Sequence, residues 1–450
     1  MKYLTQKESK FFYKDVDLLE FAKTNQTPAK IVFLDIIKDQ IEMLQNCINS
    51  AIKTQNFGGE FFYLYATKAN YASEIVFASS FYADGVETSS GTDLKYTHNI
   101  LDTMKVSKQK PIVCNGFKTK DYLEEILKMH NEEYNIVDVV DDLNELQFLL
   151  SKKYKQPLKI GLRVNLAGLY GHDEEYDRFG LCANDLTKAR QLLKGQNKLE
   201  LCTLHFHQRG FEYEEDKFFV NINKVLDEYL SFKKDFSSLT TLDIGGGTPW
   251  FYEGEFDYQK WANLLVKSIK DFCDKNDISH PNLMIENGKF TVKDSIVNLY
   301  KVEGVKNTDP NFSWYILNTS LMLAIPEYFV CGEPMKFVAL NNLKNKTIKV
   351  KLAGITCDCD DIYYDTQKGY LSLPEVVDED LFVAIVGTGS YQESMAPQTG
   401  IRHCLVPNEK RFVSFIKNGK RQFVLIEDIQ KSGDISKQNK VEKRYLSKFV

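Results

Sequence analysis

The sequence predicts an α/β protein: a (β/α)8 barrel joined to a β-rich C-terminal domain. Three observations carry that expectation. Eight short apolar runs alternate with amphipathic segments over about 230 residues, as in a barrel of strand–helix units. After about residue 290 the alternation stops, and apolar runs are joined by turns with few long helices between them. Asn418-Gly419 sits between two such runs, a strong hairpin signal. An open doubly wound sheet is the alternative, because alternation alone does not show closure.

In order, KIVFLDI (30–36) is a short β-rich run, and the spacing of Ile37, Ile41, Leu44, Ile48 and Ile52 predicts a helix over 37–55. The strands then read FFYLYA (61–66), GVETSS (85–90), PIVCN (111–115), IVDVV (136–140), KIGLRV (159–164), LCTLHF (201–206), TLDIG (241–245) and LMIEN (283–287). The helices between them are expected at 119–130, 142–152, 183–194, 215–234 and 257–275. KTIKVKLAGITC, DLFVAIVGTGSY and RFVSFIKNGKRQFVLIE supply the later strands. The barrel is thus placed at 37–290, and the β-rich domain at 291–450 with residues 1–36. The charged stretch from about Gln430 is expected to be loosely ordered.

Composition excludes several classes. With 450 residues, a net charge of −5 and 43% apolar residues, the chain is long enough for two domains. It offers no basic surface that would call for nucleic acid. The opening MKYLTQKESKFF lacks an uninterrupted apolar core, so no signal peptide is expected, and no stretch reaches membrane-spanning length. Nine scattered cysteines, an odd number, fit a reducing cytoplasm better than a disulfide framework.

Chemistry in such a barrel belongs at the C-terminal ends of the strands. The first strand ends in YATKAN (65–70), which puts Lys68 at the end of an apolar run. A desolvated ammonium is costly, so such a lysine is neutralised, paired or covalently used; by itself it more often snorkels to solvent. The sixth strand ends in HFHQRG, with His205 and His207, and the eighth in ENGK, with Glu286 and Lys289. Between them the seventh ends in a glycine triplet, Gly245, Gly246 and Gly247. Residues without Cβ let backbone amides approach a phosphate, although a tight turn alone would also use them. His207 could stack on a planar ring, Glu286 could pair with a ring nitrogen, and Lys289 could meet a phosphate. Taken singly, a core histidine, a salt-bridged acid and a solvated lysine are the commoner readings.

In the later domain, GITCDCDD (354–361) brings Cys357, Asp358 and further acids together. The close spacing and lack of distant partners argue against a metal, and no metal is expected. A thiol beside carboxylates could instead donate a proton and hold a cationic substrate. GTGSYQES (387–394) offers the hydroxyl of Tyr391, or simply a buried aromatic.

In this order, the motifs resemble those of the fold type III decarboxylases that use pyridoxal 5′-phosphate (PLP). That family has an alanine racemase-like TIM-type barrel and includes ornithine, diaminopimelate and biosynthetic arginine decarboxylases. The resemblance runs from about residue 55 to 430. YATKAN is similar to the PLP-lysine motif, and VETSSGTDL (86–94), GLRVN (161–165) and RFG (178–180) follow in family order. The sequence looks most similar to the compact arginine decarboxylases of Bacteroidetes-type bacteria, through VCNGFK (113–118), NTSLMLAIPEYF (318–329), TCDCDDIYYD, SYQES and HCLVP (403–407).

The resemblance implies decarboxylation of a basic L-amino acid, arginine to agmatine, in polyamine biosynthesis. Lys68 would form the Schiff base, His207 would stack on the cofactor and Glu286 would pair with the pyridinium nitrogen. Gly245, Gly246, Gly247, Lys289 and Tyr391 would bind phosphate. Cys357 would protonate the substrate carbon, with Asp358 holding its cationic end. A cytoplasmic homodimer with shared active sites is also implied, with no nucleic acid or membrane partner. Diaminopimelate, lysine or carboxynorspermidine decarboxylase, or a non-catalytic PLP-binding regulator, are the alternatives. Three departures stand out. Lys289 replaces the family's arginine and Arg209-Gly210 replaces a Gly-Ser pair. The NTS segment lacks the aspartate that ornithine-type enzymes use.

Overall fold

A computed structural model describes residues 2–166, 178–208, 215–252, 256–395 and 404–438. The chain divides into two units, Ile36–Val292 and Met1–Asp35 with Lys293–Val450.

The first unit is a closed barrel, which removes the open-sheet alternative. Its strands are Phe61–Ala66, Gly85–Thr88, Ile112–Cys114, Ile136–Val140, Leu158–Arg163, Leu199–His205, Thr241–Asp243 and Asn282–Asn287, in spatial order of sequence. All pair in parallel, and the last closes on the first through Leu283–Phe61 to Asn287–Tyr65. Leu64, Val113, Val137, Val139 and Met284 fill the interior as one apolar cluster. Strands covered on both faces read as continuous apolar runs, which is why they were visible in the sequence.

The outer helices begin where short polar side chains satisfy the first backbone amides. Ser90 caps Gly91–Thr103, Thr119 caps Lys120–Asn131, Asp142 caps Leu143–Ser151 and Asp257 caps Tyr258–Lys275. Each cap is worth about 1 kcal/mol. Helices at Ala183–Leu193 and Glu215–Lys233 complete those expected from apolar spacing. The helix Leu34–Thr54 precedes the first barrel strand and buries Ile37, Ile41, Leu44 and Ile48, the stripe that its spacing predicts.

The second unit is β-rich. Its ten-stranded sheet places Ala29–Phe33 between Ile296–Lys306, antiparallel, and Lys410–Lys417, parallel. The hairpin joining Lys410–Lys417 to Lys420–Glu427 turns at Asn418 and Gly419, with φ of 52° and 72°. Both central residues are left-handed, as this tight turn requires. Tyr300, Tyr315, Leu317, Val350 and Leu352 belong to its core. The stretch after Gln430, expected to be loose, contains a helix at Ser432–Gln438 that starts with Asp434 accepting from the Lys431 amide. No helix among the described residues is long and apolar enough to cross a membrane.

Candidate active site

YATKAN ends the first barrel strand as a tight turn, Thr67–Ala69, and the motif's other residues fix that turn. The Tyr65 hydroxyl donates to the Asn70 carbonyl at 2.7 Å, and the Ala72 amide donates to Asn70 Oδ1 at 3.0 Å. Thr67 Oγ1 donates to the Glu87 carbonyl at 3.0 Å and also meets the Asp93 carboxylate. Asp93 in turn accepts from the Ser89 amide, so YATKAN and VETSSGTDL are physically one assembly. The turn presents Lys68, whose Nζ lies 3.0 Å from Glu87 Oε2. Glu87 is completely buried. Burial raises its carboxyl against the pull of the Lys68 charge, and nearby Glu286 adds to the rise, to about 7.

Glu286 ends the eighth strand and is buried. Asn115 Nδ2 donates to it at 2.7 Å, and His205 Nε2 lies 3.4 Å from its other oxygen. Burial opposes its charge, but His205, Lys68 and Asn115 outweigh burial and hold the carboxyl well below its usual range. Its neighbour Asp243 behaves oppositely. Burial and the Glu286 charge push Asp243 far up, so it keeps its proton while accepting from the Gly245 amide at 2.9 Å. Adjacent buried acids thus split into one charged and one neutral. The ligand atoms of His205, Asp243 and Glu286 lie within 4.8 Å of one another.

His207 is likewise held neutral: burial, then the Lys68 charge, lowers it to about 3. Its Nδ1 accepts from the Gly246 amide at 3.1 Å, which puts the ring proton on Nε2 and fixes the ring plane. The glycines are dictated by space. A Cβ on Gly245, where φ is +66°, would lie 2.6 Å from the Phe206 carbonyl oxygen, and one on Gly246 would lie 2.5 Å from that of Glu286. Lys289 Nζ lies 6.0 Å from the Trp250 ring, just beyond the glycine loop. The GLRVN and RFG segments meet through the Leu181 amide, which donates to the Arg163 carbonyl at 2.7 Å.

Lys68, His207, Gly245, Gly246, Gly247, Glu286 and Lys289 therefore stand at or just past strand ends on one barrel rim. Sequence reasoning did not assign Glu87, Asn115 or Asp243 a role, and named His205 without one. The usable signal was an acid in the apolar strand GVET beside the strand that delivers Lys68. Arg209 and Gly210 lie outside the described residues, as does His403.

Cys357, Asp358 and Tyr391 stand in the β-rich unit. Cys357 is exposed and Asp358 half-buried, on a turn built around Asp361. Asp361 accepts from Ser320 Oγ, the Met322 amide and Thr356 Oγ1, while the Ile355 amide donates to the Thr319 carbonyl. The NTS and TCDCDD segments are thus tied into one structure. Asp358 Oδ1 accepts from the Asp360 amide at 2.9 Å. The ligand atoms of Asp358, Cys359 and Asp360 also converge, a common arrangement of exposed acids without a cation. Tyr391 has φ of +61°, a strained conformation for an aromatic residue. The next residue anchors it: Gln392 Nε2 donates to Glu327 Oε2 at 2.7 Å, and that same oxygen meets the buried Lys293.

The rim fits PLP. It offers an amine for the aldehyde, an ionised acid for the ring nitrogen, a neutral flat imidazole and a glycine loop with a cation nearby. Glu87 Oε1 and Asn115 Oδ1, both buried there, have no hydrogen-bond partner among the described residues, so polar capacity remains for a ligand.

Comparison with known proteins agrees. Residues 28–293 match the pyridoxal-binding domain of the pyridoxal-dependent decarboxylases. Relatives named biosynthetic arginine decarboxylase include that of Geobacter sp. strain M21, 27% identical over 59% of this chain and 44% of its own length. The one from Bacteroides thetaiotaomicron is 26% identical over 64% and 49%. The chain spans about half the length of these relatives. Among solved structures, the biosynthetic arginine decarboxylase of Campylobacter jejuni matches with a TM-score of 0.84 and 19% identity, over 99% of this chain and 90% of that one. Diaminopimelate decarboxylase from M. jannaschii, in complex with L-lysine, matches at 0.80 and 21%, over 98% of both chains. At such identities the likeness shows the fold. The match over residues 28–293 is more than half of the sequence, and the chain belongs to the pyridoxal-dependent decarboxylase family.

Proposed function

We propose that this protein decarboxylates a basic L-amino acid, L-arginine to agmatine and CO2, as a cytoplasmic homodimer serving polyamine biosynthesis. The observation that carries the reaction is the Lys68–Glu87 contact of 3.0 Å on a rim that also holds Glu286 ionised. The substrate reading rests on relatives named arginine decarboxylase. Bound PLP supplies an electron sink for the charge left at the substrate's α-carbon when CO2 departs.

The chain's residues divide the remaining work. Lys68 holds the cofactor covalently, and Glu87, which titrates near neutrality, takes and returns the Nζ proton as the amine changes partner. Glu286 keeps its negative charge against the ring nitrogen, with Asn115 and His205 holding the carboxylate in place. His207, neutral and fixed by Gly246, covers one ring face. Gly245, Gly246, Gly247, Lys289 and Tyr391 bind the phosphate. Cys357 returns a proton to the α-carbon, and its raised thiol pKa suits a donor. That rise comes first from its hydrogen bond with Cys404. Asp358 pairs with the cationic end of the substrate. Active sites shared across the dimer make a second copy of the chain the required partner.

The test is mass-spectrometric product analysis after PLP-loaded protein meets arginine, ornithine, lysine and meso-diaminopimelate together. Agmatine as the main product is expected. Lysine formed from diaminopimelate would replace the substrate assignment while leaving the reaction intact. Bound cofactor with no amine and no lysine formed would overturn both.

A further inference from the structure

We propose that Cys357 and Cys404 form a dithiol modification site, at which a small-molecule disulfide oxidises the pair and blocks the Cys357 thiol. The inference rests on the reading of Cys357 as the proton donor. Forty-six residues of chain separate the two cysteines, yet their Sγ atoms lie 3.3 Å apart in the β-rich unit. That exceeds an S–S bond by about 1.3 Å. Cys357 is exposed and Cys404 half-buried, so a solvent-borne reagent reaches the pair, whereas Cys114 and Cys273 are buried.

Cys357 lies in the turn around Asp361, and Cys404 precedes the strand Lys410–Lys417, so two separately anchored segments deliver the thiols to one place. Their mutual hydrogen bond favours the protonated pair, so thiolate is a minor form at neutral pH and the pair responds to sustained rather than brief exposure to the oxidant.

With glutathione disulfide as oxidant the chemistry balances. The Cys357 thiolate attacks one glutathione sulfur, forming a mixed disulfide and releasing one glutathione thiolate, which takes up a proton. Cys404 then loses its proton and attacks the Cys357 sulfur, releasing the second glutathione. Two electrons pass from the cysteine pair to glutathione, and two protons leave with the products. The sulfur that resolves the mixed disulfide is already in contact, so the internal bond outcompetes the adduct. The oxidised Cys357 has no proton to donate.

The test uses the full-length, PLP-loaded protein equilibrated in glutathione buffers of graded ratio, alkylated and digested without reduction. A cross-linked peptide pair containing Cys357 and Cys404 is expected, with turnover falling in parallel by roughly tenfold or more and recovering in dithiothreitol. Cys404→Ser should need about a tenfold more oxidising ratio to lose the same fraction of its own reduced-state turnover. A bond from Cys357 to Cys359, or a glutathione adduct on Cys357 without the cross-link, would overturn the proposal. The cross-link with turnover intact would overturn its regulatory part. Failure of the proposed reaction is seen separately, as no amine from the reduced protein before any oxidant is added.

Discussion

The barrel rim and the Asp361 turn of the β-rich unit hold their functional candidates in opposite ways. On the rim, Glu87, Glu286 and His205 are out of water and His207 is half-buried, and each charge state is set by its surroundings. On the turn, Cys357 and Asp358 are open or half-open to solvent, and a buried acid that touches no ligand, Asp361, holds their backbone. Burial makes a fixed electrostatic frame for a resident cofactor, because fields are strong where water is excluded. Backbone anchoring leaves side chains accessible to a group that arrives and leaves.

Removing the pivot of the frame should have the largest effect. Lys68→Ala should lower turnover by about a thousandfold, on the order of 4 kcal/mol, with the folded state retained. It should also abolish the borohydride-fixed cofactor adduct read by intact mass. If sites are shared, mixing this variant with Cys357→Ala should restore part of the activity; no recovery would count against sharing. Asp361→Ala tests the other device. It leaves one buried hydroxyl, one half-buried hydroxyl and a buried backbone amide without an acceptor, so chemical denaturation should show a loss of about 3 kcal/mol. Gly246→Ala drives a methyl toward the Glu286 carbonyl and should weaken PLP affinity by about tenfold, about 1.4 kcal/mol, in a fluorescence titration.

Glu87 gives a pH test of the frame. Its folded pKa of about 7 stands above the ordinary 4.5, so the unfolded chain releases that proton first as pH rises. Its contribution to stability therefore declines between about pH 4.5 and 7. In the cofactor-free protein, Glu87→Gln should flatten that decline, raising Tm at pH 8 relative to pH 5 by roughly 2–4 °C. Equal Tm changes at both pH values would remove the assigned shift. Smallest of all should be the stability effect of Cys357→Ser, within about 0.5 kcal/mol for an exposed side chain, even as turnover drops.

The barrel strands were legible because burial on both faces writes itself locally, as in IVDVV, which is a strand over its full length. Strand ends were less so. GVETSS leaves the ladder after Thr88, because rim residues turn away to build the site. Lys68, His207 and Glu286 could be singled out because reactive residues at strand ends break an apolar pattern. Their supports could not. Asn115 reaches Glu286 across 171 positions, a meeting created only when the last strand closes on the first. Asp361 looked like one acid among several in TCDCDD, and only its three donors distinguish it.

The strand Ala29–Phe33 carries a consequence for how the chain is made. It is synthesised well before its parallel neighbour, Lys410–Lys417, which lies nearly 400 residues further along the chain. The barrel residues Ile36–Val292 are continuous and can close while the ribosome is still adding the rest. The N-terminal strand waits for Ile296–Lys306 before one edge is paired and for Lys410–Lys417 before the other is. A chain cut short before residue 410 would leave Ala29–Phe33 paired on one edge only, an open edge prone to aggregation or chaperone capture.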